Sequence, residues 1–179
     1  MCIRDRPTPE GIAVCRDYHI QMPMQSAFIG WKQEPDDYLE RILGHDRLEK
    51  LNPIKTFRDN TIVVSFGSDA PCTTPDPIAW MDRAVNNGNA GQAVSVQDAL
   101  RMCTYNGAWA AFDEQERGSL EAGKIADMAV LTENPYTVPK DKLKDIRVER
   151  LYLGGKPYES CRENILPMML RGLTSRNKA

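Results

Sequence analysis

The sequence predicts an α/β fold followed by a smaller β-rich region, and three observations support this prediction. An apolar, β-branched run occupies residues 61–66 and stops at Gly67, which is typical of a parallel strand covered on both faces. Helical patterns alternate with short strand patterns through the first half of the chain, the order expected of consecutive β/α units. From residue 123 onward the apolar runs are short and closed by turn residues, which favours further strands.

The composition sets the class of protein and of partner. The 179 residues are 41% hydrophobic and 27% charged, enough for one ordinary core and a small second lobe. The net charge of -2 and the lack of any Lys or Arg run favour neither nucleic acid nor an anionic membrane as a partner. We therefore expect small molecules or proteins as partners.

The cysteines indicate a reducing compartment. Their number is odd, they are scattered, and no Cys-x-x-Cys pair suggests a zinc or redox motif; they are Cys2, Cys15, Cys72, Cys103 and Cys161. No run reaches the ~20 apolar residues of a membrane span, and residues 1–6 lack the apolar core of a secretion signal. We expect a cytoplasmic location and no membrane partner.

The first elements are a helix and a short strand. Thr8 is suited to cap a helix, Pro9 suits its first position, and Glu10 complements the positive end of the helix dipole. Residues 20–25 then predict a brief strand, although Pro23 cannot donate to a ladder.

Two further helices flank the strand at residues 61–66. Residues 36–43 space their apolar side chains for one helical face, and Gly44 is a natural stop. Residues 78–85 predict a second helix that ends at an Asn-Asn-Gly turn. The apolar side chains of this second helix are more typical of core than of a cofactor wall: Trp80, Met81 and Val85.

The strongest helix signal begins at Ser95. Ser95 and Asp98 have the spacing of a capping box, and an Ala-rich segment continues to about Phe112. The pattern then changes to strands at residues 128–131 and 146–153. A compositional break therefore falls between about residues 94 and 123.

Asp69 is the leading candidate for a functional residue. It follows Gly67 and Ser68 directly after the apolar strand, and α/β folds place their chemistry at the carboxyl ends of such strands. The alternative is a turn residue whose carboxylate bonds nearby backbone amides.

Three segments together resemble the carboxyl-terminal part of the amidohydrolase superfamily, in its amidohydrolase 3 branch. Each is weak alone, but their order and spacing are specific. They are residues 66–71 with Pro75-Asp76-Pro77 downstream, residues 98–108 (Asp-Ala-Leu-Arg-Met-Cys-Thr-Tyr-Asn-Gly-Ala) and residues 117–131 (Arg-Gly-Ser-Leu-Glu-Ala-Gly-Lys-Ile-Ala-Asp-Met-Ala-Val-Leu).

The resemblance implies the carboxyl-terminal part of a (β/α)₈ TIM barrel, namely its last two β/α units, plus carboxyl-terminal strands of a small β-sandwich. Asp69 would end the eighth strand, and residues 24–28 resemble the end of the seventh. We therefore expect a non-native leader at 1–6, a partial barrel at 7–94, a connecting helix and turn at 95–122, sandwich strands at 123–160 and a tail at 161–179.

The resemblance also implies a reaction. The complete enzyme would be a metal-dependent hydrolase of non-peptide carbon–nitrogen bonds in small amide-type substrates, with a divalent metal, zinc, as cofactor. Asp69 would contact the metal and, as general base, take a proton from the attacking water. Gln25 and Phe28 would orient the substrate through an amide and an apolar wall. Ordinary loop packing is the alternative for those two residues.

The histidines argue that this chain is catalytically incomplete. The family takes metal ligands from an early His-x-His pair and from middle strands, whereas this sequence has only His19 and His45, which we expect to be structural or surface residues. Three or more ligands are needed for a catalytic zinc, so the fragment alone should be inactive. A second hypothesis is a non-catalytic module that binds a partner or completes a subunit, since open strand edges favour association or an oligomer.

Overall fold

The computed structural model describes residues 7–158 as an α/β arrangement. The helices are α1 (Pro9–Asp17), α2 (Asp36–Leu43), α3 (His45–Leu48), α4 (Ile54–Asp59), α5 (Pro77–Val85), α6 (Val96–Cys103) and α7 (Tyr105–Ala110). The strands are β1 (Met22–Met24), β2 (Val64–Phe66), β3 (Met128–Leu131), β4 (Val148–Leu153) and β5 (Lys156–Pro157), and short 3₁₀ turns occupy Ser26–Phe28, Ala90–Gln92 and Lys140–Asp145. The expected leader, the tail at 161–179, Cys2 and Cys161 lie outside the described residues.

Strands β1 and β2 form a parallel pair, with Met22 opposite Val64 and Met24 opposite Phe66. Both predicted strands are present but shorter than the sequence pattern. Thr61 adopts a left-handed backbone with φ of 60°, and the Ile62 N–H donates to the Phe57 carbonyl at 3.0 Å. The first part of the apolar run therefore closes helix α4 before the strand begins.

The predicted helix starts are confirmed. The Thr8 hydroxyl accepts the Gly11 N–H at 3.1 Å, and the Ser95 hydroxyl accepts the Asp98 N–H at 3.0 Å. The return half of the capping box differs, since Asp98 accepts the Ser95 hydroxyl at 2.6 Å rather than a backbone N–H. Aspartate is one methylene shorter than the usual glutamate, which explains the closer partner.

The predicted single helix to Phe112 is wrong, because the chain breaks at Thr104 into α6 and α7. Thr104 has φ of -121° and ψ of -92°, outside the helical region, and its hydroxyl donates to the Leu100 carbonyl at 2.8 Å. Such back-bonding by threonine competes with the regular helical ladder. The break turns α7 toward β2.

Helix α4 was not predicted. It is six residues long, too short for a clear periodic pattern. Its buried side chains are Ile54 and Phe57, three positions apart, and Lys55 pairs with Asp59 at 2.6 Å. The burial shows that tertiary packing stabilises this helix more than propensity does.

The second sheet has the order β3-β4-β5, with both pairings antiparallel. Its strands confirm the change to β structure after residue 123. The side chains of β4 are almost all exposed, so this sheet contributes little to the core.

The core surrounds β1 and β2 and extends into the later part of the chain. Leu143 and Ile146, from the segment before β4, are 0% and 1% exposed and belong to the same cluster. Met81 and Val85 are buried as predicted, whereas Trp80 is half-buried. The division of the chain into domains stays a prediction. No helix within residues 7–158 is long and apolar enough to cross a bilayer.

Candidate functional site

The carboxyl ends of β1 and β2 lie side by side, because the Gly67 N–H donates to the Met24 carbonyl at 3.1 Å. Gln25 follows β1 directly, and Asp69 follows β2 after Gly67 and Ser68. We call residues 25–31 and 67–69 the carboxyl edge. The fold thus places the sequence-predicted candidates after neighbouring strands at one edge of the pair.

Asp69 is exposed and has a left-handed backbone, with φ of 54°. That conformation is uncommon for residues other than glycine and is enriched in aspartate and asparagine. The Ser68 hydroxyl, rather than the Asp69 carboxylate, accepts the Ala70 N–H at 3.1 Å. Within residues 7–158 the Asp69 carboxylate has no hydrogen-bond or ion-pair partner. The hydrogen bond to a nearby backbone amide, which a turn-capping role would require, is therefore not formed there.

Gln25 and Phe28 sit in the turn that follows β1. Gln25 is exposed, and its carbonyl accepts the Phe28 N–H at 3.1 Å. The half-buried Phe28 ring meets the Trp31 ring edge to face, with centroids 4.9 Å apart. The Arg83 guanidinium donates to the Ile29 carbonyl and so fixes this turn to helix α5.

Trp31 and Ser26 were missed by the sequence reasoning. The spacing of three between Phe28 and Trp31 was an available signal for paired rings. Ser26 is 1% exposed, and its hydroxyl has no hydrogen-bond partner in the described part of the chain. A buried, unpaired hydroxyl costs ~1–3 kcal/mol, and no sequence pattern could have identified it.

The described residues do not by themselves form a metal site. Between residues 7 and 158 there is no cluster of three or more His, Cys, Asp or Glu side chains suited to a metal ion. His19 is exposed and has a left-handed backbone with φ of 53°. A catalytic zinc needs three or more protein ligands, more than the Asp69 carboxylate alone could supply.

His45 is not part of this edge and interacts with carboxylates. Its Nδ1 lies 3.0 Å from Glu40 and its Nε2 lies 3.5 Å from Glu49. The hydrogen bond with Glu40, followed by the charge of Glu49, raises the pKa of His45 above its ordinary value. This contact joins α2 to α3 at the surface, which is consistent with the expected structural or surface role.

Two clefts lie away from the carboxyl edge. One of about 380 Å³ adjoins the amino-terminal end of β2, and its lining includes Thr61, Arg101 and Tyr105. The other, of about 460 Å³, lies on β4. Neither includes Asp69, Gln25 or Phe28. Because α/β enzymes react at the carboxyl ends of their strands, we assign the candidate site to the carboxyl edge.

Comparison with known proteins identifies relatives over most of the described chain. The sequence model of the amidohydrolase family matches residues 9–158. An N-substituted formamide deformylase from Arthrobacter pascens is 35% identical over 132 residues, which are 70% of this chain and 22% of that protein. The chain spans about a fifth of the length of the curated relatives it matches.

Solved structures share the fold. A metal-dependent hydrolase of uncharacterised function from Pyrococcus horikoshii superposes with a TM-score of 0.65 at 22% identity, over 77% of this chain and 29% of that one. An adenosine deaminase with bound zinc from Xanthomonas campestris gives 0.63 at 17% identity, over 97% and 40%. These likenesses confirm the α/β fold class.

Proposed function

The chain belongs to the amidohydrolase family, and we propose that it is the carboxyl-terminal piece of a metal-dependent hydrolase that cleaves non-peptide carbon–nitrogen bonds in small amide-type molecules. We further propose that β1 and β2 are the seventh and eighth strands of its barrel and that β3–β5 belong to a β-sandwich. The name of the Arthrobacter relative, a deformylase of N-substituted formamides, supports an amide-type substrate.

The observation that carries this proposal is the Asp69 carboxylate at the carboxyl edge, which has no hydrogen-bond or ion-pair partner in the described residues. Its exposure and lack of partners in the described residues leave both carboxylate oxygens accessible. A positioned carboxylate acting as general base contributes typically ~10²–10⁴-fold to a rate. We therefore assign Asp69 the role of proton acceptor for the attacking water and of one metal contact.

Gln25 and Phe28 are proposed to bind the substrate. The exposed Gln25 amide offers both a donor and an acceptor for an amide group. The Phe28 ring, held by Trp31 and by the Arg83 contact to the turn, offers an apolar wall.

The complete protein would bind a divalent metal, for which we propose zinc. The zinc in the adenosine deaminase neighbour supports this choice. When bound, such an ion polarises the substrate carbonyl and acidifies water. Since residues 7–158 contain no cluster of metal ligands, we propose that the chain alone is inactive. The free thiols of Cys15, Cys72 and Cys103 support a cytoplasmic location.

The test requires the complete reading frame at the same locus. The complete protein and the 179-residue chain would be assayed on N-substituted formamides, with chelator and with zinc restored. We expect activity from the complete protein alone. Asp69→Asn should lower kcat by about 10²–10⁴-fold, whereas Asp76→Ala should cost only helix stability, because Asp76 caps α5.

Two outcomes would refute the proposal: a complete frame without an early His-x-His pair, or an Asp69→Asn variant with unchanged kcat. Hydrolysis by the chain alone would refute its inactivity.

The second candidate is a non-catalytic module that binds a partner or completes a subunit. The exposed apolar side chains of β4 favour it, with Val148 50% and Leu153 48% exposed. Sedimentation of the 179-residue chain tests it: a monodisperse monomer that unfolds cooperatively supports an independent domain. Aggregation relieved by the rest of the enzyme supports the enzyme fragment.

A further inference from the structure

Helix α7 contacts β2 and the residue that directly precedes β1. The Asn106 side-chain amide donates to the Val64 carbonyl of β2 at 2.7 Å. At the other end of the helix, the Ala110 carbonyl accepts the Gln21 side-chain amide at 3.2 Å, and Gln21 directly precedes β1. These bonds join residues 42 and 89 positions apart in sequence.

The Asn106 bond lies on the side of β2 that does not face β1. The Met22 N–H donates to the Val63 carbonyl, and the Gly67 N–H donates to Met24. Alternate residues of a strand direct their backbone groups to opposite sides, so Val64 points away from β1. Asn106 therefore bonds β2 on the side that β1 leaves open.

The opposite side of α7 is held by the turn that contains Gly118. A Cβ atom at Gly118 would lie 2.7 Å from the Ala108 Cβ and 2.9 Å from the Tyr105 Cα, so only glycine allows this approach. The Tyr105 ring also lies beneath two cations, 4.3 Å from the Arg101 guanidinium and 5.6 Å from the Lys124 ammonium. Helix α7 is thus clamped between this turn and β2.

We infer that Asn106 is a positioning residue that fixes β2, and through it Asp69, with α7 acting as a brace between the Gly118 turn and β2. This inference rests on the proposed function for the role of Asp69. The physical reason is the short distance along the chain: β2 is three residues long, and Asp69 lies only three positions beyond its end, so a shift of β2 would also move Asp69. Productive geometry tolerates errors of only ~0.5 Å, so a loose strand would displace the carboxylate.

The test uses Asn106→Asp in the 179-residue chain. At neutral pH the new carboxylate cannot donate to the Val64 carbonyl, but its protonated form can donate an O–H. The matched control is Asn86→Asp, because Asn86 also donates to a backbone carbonyl, that of Lys140 at 2.8 Å, away from β2. The Asn86 amide donates to the Asp82 carboxylate at 2.9 Å as well, so this control is at least as disruptive locally as Asn106→Asp. Asn106→Ala removes the donor at every pH.

Hydrogen exchange and backbone NMR shifts of residues 64–70 are measured from pH 7.5 to about pH 3.5, below the ordinary aspartate pKa of about 3.9, against the unaltered chain. We expect Asn106→Asp to lower protection of residues 64–67 by about three- to tenfold at pH 7.5 and to recover it on acidification. Asn106→Ala should lose protection without recovery, and Asn86→Asp should leave these residues unchanged. Unchanged protection in both Asn106 variants, or equal loss throughout the chain, would overturn the inference.

In the complete enzyme, Asn106→Asp should lower kcat with little change in KM. A variant with lower thermal stability but unaltered kcat would also overturn the inference. Hydrogen exchange tests the contact between Asn106 and β2 without any enzymatic activity. A negative activity assay would therefore count against the proposed function, and a negative exchange result would count against the brace.

Discussion

Gly118→Ala offers a direct measurement of how tightly the Gly118 turn packs on helix α7. Gly118 has φ of +87°, and a Cβ atom at this position would meet two atoms of α7 at under 3.0 Å. One of these atoms is the Tyr105 Cα, which belongs to the backbone and cannot rotate away. The substitution therefore combines backbone strain with overpacking.

The magnitude follows from these two contributions. A left-handed backbone costs an L-residue roughly 1–2 kcal/mol, and overpacking typically adds ~1–3 kcal/mol. We expect Gly118→Ala to lower the free energy of unfolding by about 2–5 kcal/mol. Gly123→Ala is the matched control, because Gly123 has a similar φ of +95° but no atom within 4 Å of its Cβ position. The control should cost only the strain, roughly 1–2 kcal/mol.

Urea unfolding followed by circular dichroism measures both variants. The difference between the two free energies isolates the steric clash, and we expect Gly118→Ala to be worse by about 1–3 kcal/mol. Equal destabilisation would refute the packing argument, because strain alone would then account for both changes.

Two further predictions concern titratable groups. The contacts with Glu40 and Glu49 raise the pKa of His45, so the stabilisation from His45 is complete below the ordinary histidine pKa and is lost as the pH rises through the raised pKa. NMR titration should show that Glu40→Gln lowers the pKa of His45. An unchanged pKa in this variant would contradict the assigned cause. Burial raises the pKa of the Cys103 thiol to about 12, so brief treatment with iodoacetamide at pH 8 should label the exposed Cys72 and leave Cys103 unlabelled. Peptide mapping measures both. Comparable labelling of the two cysteines in the folded chain would contradict the expected protection of Cys103.

The sequence could predict the elements whose signals are local. Thr8 and Ser95 cap their helices through side-chain bonds to nearby amides, and such contacts depend only on residue type and spacing. The position of Asp69 after β2 also followed from a local pattern, an apolar run that stops at glycine. Its placement beside the end of β1 followed from the parallel pairing expected of β/α units.

The remaining features depend on contacts between distant parts of the chain. Helix α4 is stabilised by the burial of Ile54 and Phe57, and the shortened β2 reflects a bond from Ile62 back to that helix. The break at Thr104 orients α7 so that Asn106 reaches Val64, 42 positions away. Residue type alone gives no such pairing, so the brace could not be read from the sequence.

In this chain, without the other strands of the proposed barrel, the position of Asp69 depends more on helices than on the sheet. Two parallel strands of three residues each are below the size that is stable alone in water, since three or more strands or a packed helix are needed. In residues 7–158, β2 pairs with β1 on one side and accepts the Asn106 amide of α7 on the other, and α6 also packs against it. The third segment of the family resemblance, at residues 117–131, begins in the turn that seats α7. The Gly118 turn lies away from the carboxyl edge, but it packs against α7, and α7 in turn bonds β2. We therefore infer that this turn helps to hold the Asp69 carboxylate in place.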